Sequence, residues 1–264
     1  MSKLVDPEFP PLINGIAAEM DEDPVQIAFA RAKSGEVGAG DLIWSRNENS
    51  VSLAIVLEPE VTAEHALTML PLAMVALADS IGAIGPPNLP ITFDWPKTIL
   101  ANGAVVGGLD MVFPENTKGS EIPAFAVLSL GLDITWAAHQ STGTHRTEFE
   151  PGENMLRTVL HEEGAGDLDR TMIIESWARH FTAWIDTWEQ DGFKPVHENW
   201  LFRADKRNET VVVKTANGNE AGTLIGMDEM GGLLVKQDTI TRLISLGEIW
   251  FGVEGTSADK AVLQ

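Results

Sequence analysis

Residues Asp94–Met111 read DWPKTILANGAVVGGLDM, and the fold turns on this stretch. Its middle consists of Ile99-Leu100-Ala101 and Ala104-Val105-Val106 around Asn102-Gly103. Asn-Gly is the pair that suits a two-residue hairpin turn, because both positions need positive φ. A strand over Ile91–Trp95 leads in, and Pro96 stops it, since proline has no N–H for a ladder. Gly107-Gly108 then interrupts the second arm of the hairpin. Paired glycines there let a backbone approach a ligand closely, and they serve turn geometry equally well. The stretch therefore predicts a hairpin inside a sheet with a candidate site beside it.

The same alternation extends upstream. Leu42–Arg46 and Val51–Leu57 read as strands, with Val51, Leu53, Ile55 and Leu57 at period two. Before them, Asp23-Pro24 opens a helix that stops near Gly35, with an N-cap, a proline in the first turn and a C-terminal glycine. Residues 1–22, rich in proline and acids, are expected to be irregular. A glycine loop, GEVGAGD, joins helix to strand. Thr62 starts a long helix, apolar nearly all round (MLPLAMVALA), that should end near Gly82 or Gly85 and lie buried against a sheet.

Downstream, AFAVLSLGL (residues 124–132) reads as a strand. From Asp169 to about Gln190, Ile173, Trp177, Phe181, Trp184 and Trp188 recur every three or four residues and share one core-facing helix stripe. After Trp200-Leu201 the charged run ADKRNE reads as a linker. Beyond it, Thr210–Lys214, Gly222–Met227, Leu233–Lys236 and Ile249–Val253 are short β-like runs divided by Asn217-Gly218 and Gly231-Gly232. That spacing predicts a small barrel. The expected organisation is a mixed α/β domain over residues 1–205 and a β-barrel domain over 206–264.

The totals narrow the function. The 264 residues include no cysteine, which excludes disulfides, thiolate metal sites and a cysteine nucleophile and fits a cytoplasmic setting. With 18 basic against 39 acidic residues the formal charge is −21, a surface that repels nucleic acid and anionic lipid. No long uncharged apolar run predicts a membrane span, and the N-terminus lacks a signal-peptide pattern. His161-Glu162-Glu163 with Asp167 and Asp169 is better explained as an acidic helix start than as a metal site. Neither a P-loop, a dinucleotide glycine fingerprint nor a Gly-x-Ser-x-Gly elbow is present.

Several segments, in order, resemble the biotin/lipoate protein ligase family. DWPKTILANGAVVGGLDM is similar to its Lys-Trp-Pro-Asn-Asp, strand, turn and Lys-x-x-Gly-Ile. GEVGAGDLIWSRNENSVSLAIVLEP resembles its Gly/Arg-rich ligand loop with a following Trp-Ser, and VLSLGLDI its Gly-Ile-Gly-Ile-Asn-Val strand. DGFKPVHENW is similar to the end of the ligase domain, and GTLIGMDEMGGLLVK with LGEIW to the small C-terminal barrel.

The resemblance implies a class II synthetase-like mixed sheet with flanking helices, followed by an SH3-like barrel. It also implies a reaction in which a carboxylic acid is joined to AMP and passed to a carrier-domain lysine. ATP and biotin or lipoate are the implied bound molecules. The implied partners are an acyl ligand and a biotinyl or lipoyl carrier domain, with a homodimer as a further expectation. The implied ligand-binding positions are Gly35, Gly38, Gly40, Trp44, Asp94, Trp95, Thr98, Gly107, Gly108 and Asp133. Trp44 and Trp95 serve equally well as core residues.

The family's cations are replaced at informative places. Asp94 stands for the lysine before Trp-Pro, Val105 for the lysine of Lys-x-x-Gly, and Glu36, Val37 and Ala39 for loop arginines. Lys97, the nearest substitute, is the candidate catalytic cation; an ordinary surface lysine at a strand end is the alternative. Two functions stay open: an ATP-dependent acyl ligase or transferase with an altered site, and a ligase-like protein that binds an acyl ligand or a partner without catalysis.

Overall fold

The computed structural model describes residues 5–19, 22–137, 155–215 and 217–252. Its order is β1 (Asn14–Ala18), α1 (Pro24–Ser34), β2 (Asp41–Ser45), β3 (Ser50–Leu57), α2 (Ala63–Ala66), α3 (Met69–Ile84), β4 (Ile91–Asp94), β5 (Thr98–Ala101), β6 (Ala104–Val112), β7 (Ala126–Asp133), α4 (Arg170–Asp191), α5 (Lys194–Phe202), β8 (Thr210–Thr215), β9 (Gly218–Met227), β10 (Leu233–Gln237), β11 (Ile240–Ile244) and α6 (Leu246–Phe251). Strands β1–β7 form one mixed sheet in the order β1-β2-β3-β7-β6-β5-β4. Only β1 and β2 run parallel in it, as the crossover through α1 requires. Strands β8–β11 form a separate four-stranded antiparallel sheet.

The local signals explain most elements. Asp23 caps α1 by accepting from the Val25 N–H, and Gly35 ends it at φ 76°. The Asn102-Gly103 turn takes φ 49° and 79° and joins β5 to β6. Thr62 caps α2, but the expected single helix is interrupted at Leu67-Thr68, where the Thr68 hydroxyl donates to the His65 carbonyl. By composition Ala63–Ile84 is apolar enough to cross a membrane, yet 78% of that window is buried within the fold, as in a core helix.

Helices α3 and α4 cover one face of the large sheet. The α4 stripe points inward as its spacing predicts: Trp177 stacks on Phe181 and donates to the Ala73 carbonyl of α3. Asp79 of α3 accepts from the Trp184 indole and pairs with Arg203 at the end of α5, 2.7 Å away. Helix α1 packs on the opposite face over Ile43, Ala54, Val56 and Val127, with Phe29 edge-on to Phe125.

Four expectations need correction. Residues 14–18, expected to be irregular, form the edge strand β1, held by its partner β2 rather than by its own pattern. Helix α5 and strand β11 lie where none was predicted. Ile249–Phe251, expected as strand, belongs to α6, because the Ser245 hydroxyl caps it from the Glu248 N–H; Val253 lies outside the described residues. The last helix also sits against the large sheet, where the Trp250 indole donates to the Met111 carbonyl.

Candidate functional site

Pairing aligns one residue from each of five strands. Ser52 lies opposite Gly131, Gly131 opposite Gly108, Gly108 opposite Thr98, and Thr98 opposite Asp94. Directly opposed residues share a face, so these five form a row across the sheet. It lies on the face away from α3 and α4, beside the part that α1 covers. The next row towards α1 is Ala54, Ser129 and Asp110, and the preceding one is Ser50 with Asp133. The floor is therefore glycine, serine and threonine where the other face carries Leu53, Leu109, Leu130 and Leu132. Small side chains recess this strip of the face into a trough, in which Ser52, Ser129 and Ser50 are buried at 5%, 1% and 7% exposure.

Charge rims this trough in pairs. The Lys97 ammonium binds the Asp110 carboxylate, whose other oxygen accepts from the Met111 N–H. Arg157, bridged to Val105 beside β6, donates to Asp133 at 3.1 Å. Asp94 faces Lys206 at 3.7 Å. Burial pushes the Asp94 carboxyl above its ordinary range, and Lys206 opposes that only in part. Lys97 also sits 5.8 Å from the centre of the Trp250 ring, so α6 reaches the trough.

The sequence candidates divide into two groups. Asp94, Thr98, Gly108 and Asp133 share the trough face, with Lys97 at its side. Gly107 is one residue off the row, opposite Leu132 and Ile99; a Cβ there would lie 2.0 Å from the Gly131 carbonyl oxygen, so strand packing accounts for this glycine.

The other candidates stand elsewhere. Trp44 is buried opposite Leu53 on the helix-covered face, with the Arg170 guanidinium 4.8 Å from its ring centre. Burial holds Arg170 below its ordinary range, against the pull of Asp6, Glu48 and Asp169. Trp95 is buried and donates to the Gly231 carbonyl in the turn between β9 and β10. Gly35, Gly38 and Gly40 lie at the start of β2: Gly40 N–H donates to Val56, four residues from Ser52 and so roughly 13 Å along the strand. The implied ligand-binding positions predict that residues 35–45 converge with 94–98, 105–108 and 130–133; the last three segments lie on adjacent strands, and of the first Ile43 and Ser45 share the Ser52 face, Ile43 beneath α1 and Ser45 nearer the row.

The loop glycines have local causes. Gly35 is the α1 cap, Gly38 leaves room for the Glu58 carboxylate, and Gly40 has φ 87° with the Leu12 carbonyl against it. Ser52, Ser129 and Arg157 were missed, because only long-range register brings them to the hairpin; Asp110 lies within the hairpin itself and was not singled out. Asp169, weighed as part of a cation cluster, caps α4 by accepting from the Met172 N–H, and Glu163 accepts from Thr158 and Asn102, which holds its carboxyl below the usual range.

The sequence matches the Biotin/lipoate A/B protein ligase family over residues 9–202. A Biotin--[acetyl-CoA-carboxylase] ligase of Paracoccus denitrificans is 26% identical over 209 residues, covering 79% of this chain and 83% of that protein. The crystal structure of a biotin protein ligase-like protein of unknown function from Silicibacter sp. TM1040 superposes with a TM-score of 0.78 at 31% identity, over 92% of this chain and 98% of that one. The biotin protein ligase of Aquifex aeolicus, in complex with biotin and ATP, shares the fold at a TM-score of 0.66 and 17% identity, over 89% and 97% of the two chains.

Proposed function

Because the chain belongs to the biotin/lipoate A/B protein ligase family, we propose that it is a ligase-type protein that holds an acyl acid, biotin first among candidates, against the Ser52–Gly131–Gly108–Thr98–Asp94 row. ATP would bind beside it, and a lysine of a biotinyl or lipoyl carrier domain would receive the acyl group. The observation that carries this reading is the run of small residues across five strands with an ammonium, Lys97, at its side. The two-part organisation, with an SH3-like unit over residues 206–264 behind the ligase-like unit over 1–205, belongs to the same proposal, as does a cytoplasmic setting, where ATP is available.

The chemistry has two steps. A carboxylate oxygen attacks the α-phosphate of ATP and pyrophosphate leaves; then the carrier amine attacks the acyl carbon, AMP leaves and the amine loses a proton. Both reactants of the first step are anions, so rate depends on cations that favour charge in the transition state over the ground state. Lys97 fills that place, while Thr98 and Ser52 offer hydroxyls to the acyl acid.

A second reading has its own support. Lys97 is engaged by Asp110, Arg157 by Asp133 and Lys206 by Asp94. A cation neutralised by its neighbour gives less to an incoming phosphate, which favours a binding protein with slow or no adenylation. One experiment separates the two. The full chain is incubated with ATP, an acceptor domain and biotin, lipoate or octanoate, and the acceptor is read by intact mass alongside ligand-induced shifts in Tm. Slow transfer that Lys97→Ala abolishes supports the ligase; a ligand-induced Tm shift without transfer supports the binding protein. Robust transfer that survives Lys97→Ala overturns the assignment of the site.

A further inference from the structure

A groove of about 1650 Å³ opens on the other side of the large sheet, between the end of α4, the start of α2 and α3, and the β9–β10 turn. It is separate from the trough: Ile55 lines it, and Ile55 is on the helix-covered face of β3, whereas Ser52 faces the other way. The volume exceeds the roughly 300–1,000 Å³ of small-molecule pockets. It suits a helix about 10 Å across and about 20 Å long, three to four turns, whose cylinder occupies about 1600 Å³.

The wall composition selects the kind of helix. Phe181, Ile185 and Trp188 present the apolar side of the last turns of α4, and Met69, Met227 and Met230 complete the walls. Methionine adapts to irregular partners, because it is unbranched and polarisable. The rim carries Glu58, Glu60, Glu189, Asp191 and Glu229, all exposed. Asp228 is different, since its carboxylate accepts from the N–H groups of Met230 and Gly232. Against these acids stands Lys194, exposed and 3.9 Å from Glu198.

We propose that this groove docks a cationic amphipathic helix of a partner protein, its apolar face on Trp188 and the methionines and its lysines or arginines on the acidic rim. Such a helix lays anchors spaced by three and four residues into the groove. Because the β9–β10 turn supplies one wall, the bound helix would bridge the two sheets. The inference is independent of the acyl-ligand reading.

The test uses a fluorescein-labelled 14-residue peptide of leucine and lysine on opposite helix faces, titrated with the full chain and followed by anisotropy. Its leucine–glutamate counterpart is the control peptide. Saturable binding of the lysine peptide alone is expected, at least tenfold weaker in Glu58→Lys/Glu189→Lys/Glu229→Lys and weakened also by Met230→Asp. The charge-matched variant Glu115→Lys/Glu121→Lys/Glu162→Lys should bind like the parent. Equal loss in that variant would mean unspecific attraction to an acidic protein and would overturn the proposal. Absence of binding, or equal binding by the groove variants, would overturn it too. The altered glutamates are all exposed and Met230 is 36% exposed, and far-ultraviolet circular dichroism checks that each variant is folded.

Discussion

The Trp95 indole donates to the carbonyl of Gly231, 2.9 Å away and 136 residues later in the chain. Trp95 closes the β4 segment of the large sheet, and Gly231 turns β9 into β10 at φ 80°. A buried contact thus ties the two sheets together at the residue that the sequence offered as either ligand-lining or core.

Trp95→Phe keeps a ring but leaves that carbonyl without its donor. A buried polar group left unpaired costs about 1–3 kcal/mol. The expected outcome is a loss of that size in urea unfolding, with acyl-ligand affinity unchanged. A loss of affinity without a loss of stability would put Trp95 in the ligand site instead.

Asp110 restrains Lys97, so removing its charge should release the ammonium. Asp110→Asn is expected to tighten ATP binding in calorimetric titration, by severalfold, whereas Lys97→Ala weakens it. Equal or weaker ATP binding in Asp110→Asn would show that the carboxylate positions Lys97 productively.

Asp94 gives a pH-dependent expectation. Its folded-state pKa is raised, chiefly by burial. The favourable contribution of its protonated form is therefore complete below the unfolded value of about 3.9 and is lost as pH rises through the folded value. Asn resembles the protonated form at every pH. Asp94→Asn should raise Tm at neutral pH, with the difference shrinking as pH falls towards about 4. A lower Tm at neutral pH would mean that the Lys206 pair outweighs burial.

Two glycines of the β2 approach should respond differently to alanine. A Cβ at Gly40 meets the Leu12 carbonyl oxygen at 2.5 Å and would be held at φ 87°. That backbone strain alone is on the order of 1–3 kcal/mol. A Cβ at Gly38 meets only the Glu58 carboxylate, at 2.9 Å, and that side chain can move. Chemical unfolding should show a clear loss for Gly40→Ala and little change for Gly38→Ala, with ligand binding preserved in the second. Lost ligand binding in Gly38→Ala would return this loop to the site.

What was legible in the sequence was what local physics determines. The α1 caps, the Asn102-Gly103 turn and the α4 stripe were each written in a few neighbouring residues. Strand β1 was not, since five residues between proline and acids carry little pattern and depend on β2. Helix α6 did carry a Ser-x-x-Glu start at Ser245 and Glu248, but its Ile249-Trp250-Phe251 also suits a strand. At the site, the hairpin placed Thr98 and Gly108 together. Ser52, Gly131 and Arg157 reach them only through pairing that no local window contains. Gly35 and Gly40 announced positive-φ backbone correctly, but glycine type alone does not distinguish a turn from a ligand contact.

The middle of the large sheet is made by β3 and β7, whose register runs from Ser50 against Asp133 to Leu57 against Ala126. Everything from α2 to β6 lies in the loop that this pairing closes. Closing it orders a long stretch of chain before the ladder forms, and folding slows as contacts become more distant in sequence. The α1 and α3–α4 helices can form early, while the row that carries the proposed ligand site exists only after β3 and β7 have met. In refolding, ligand binding should therefore recover later than helical circular dichroism, and destabilising changes in the β3–β7 ladder should delay it further.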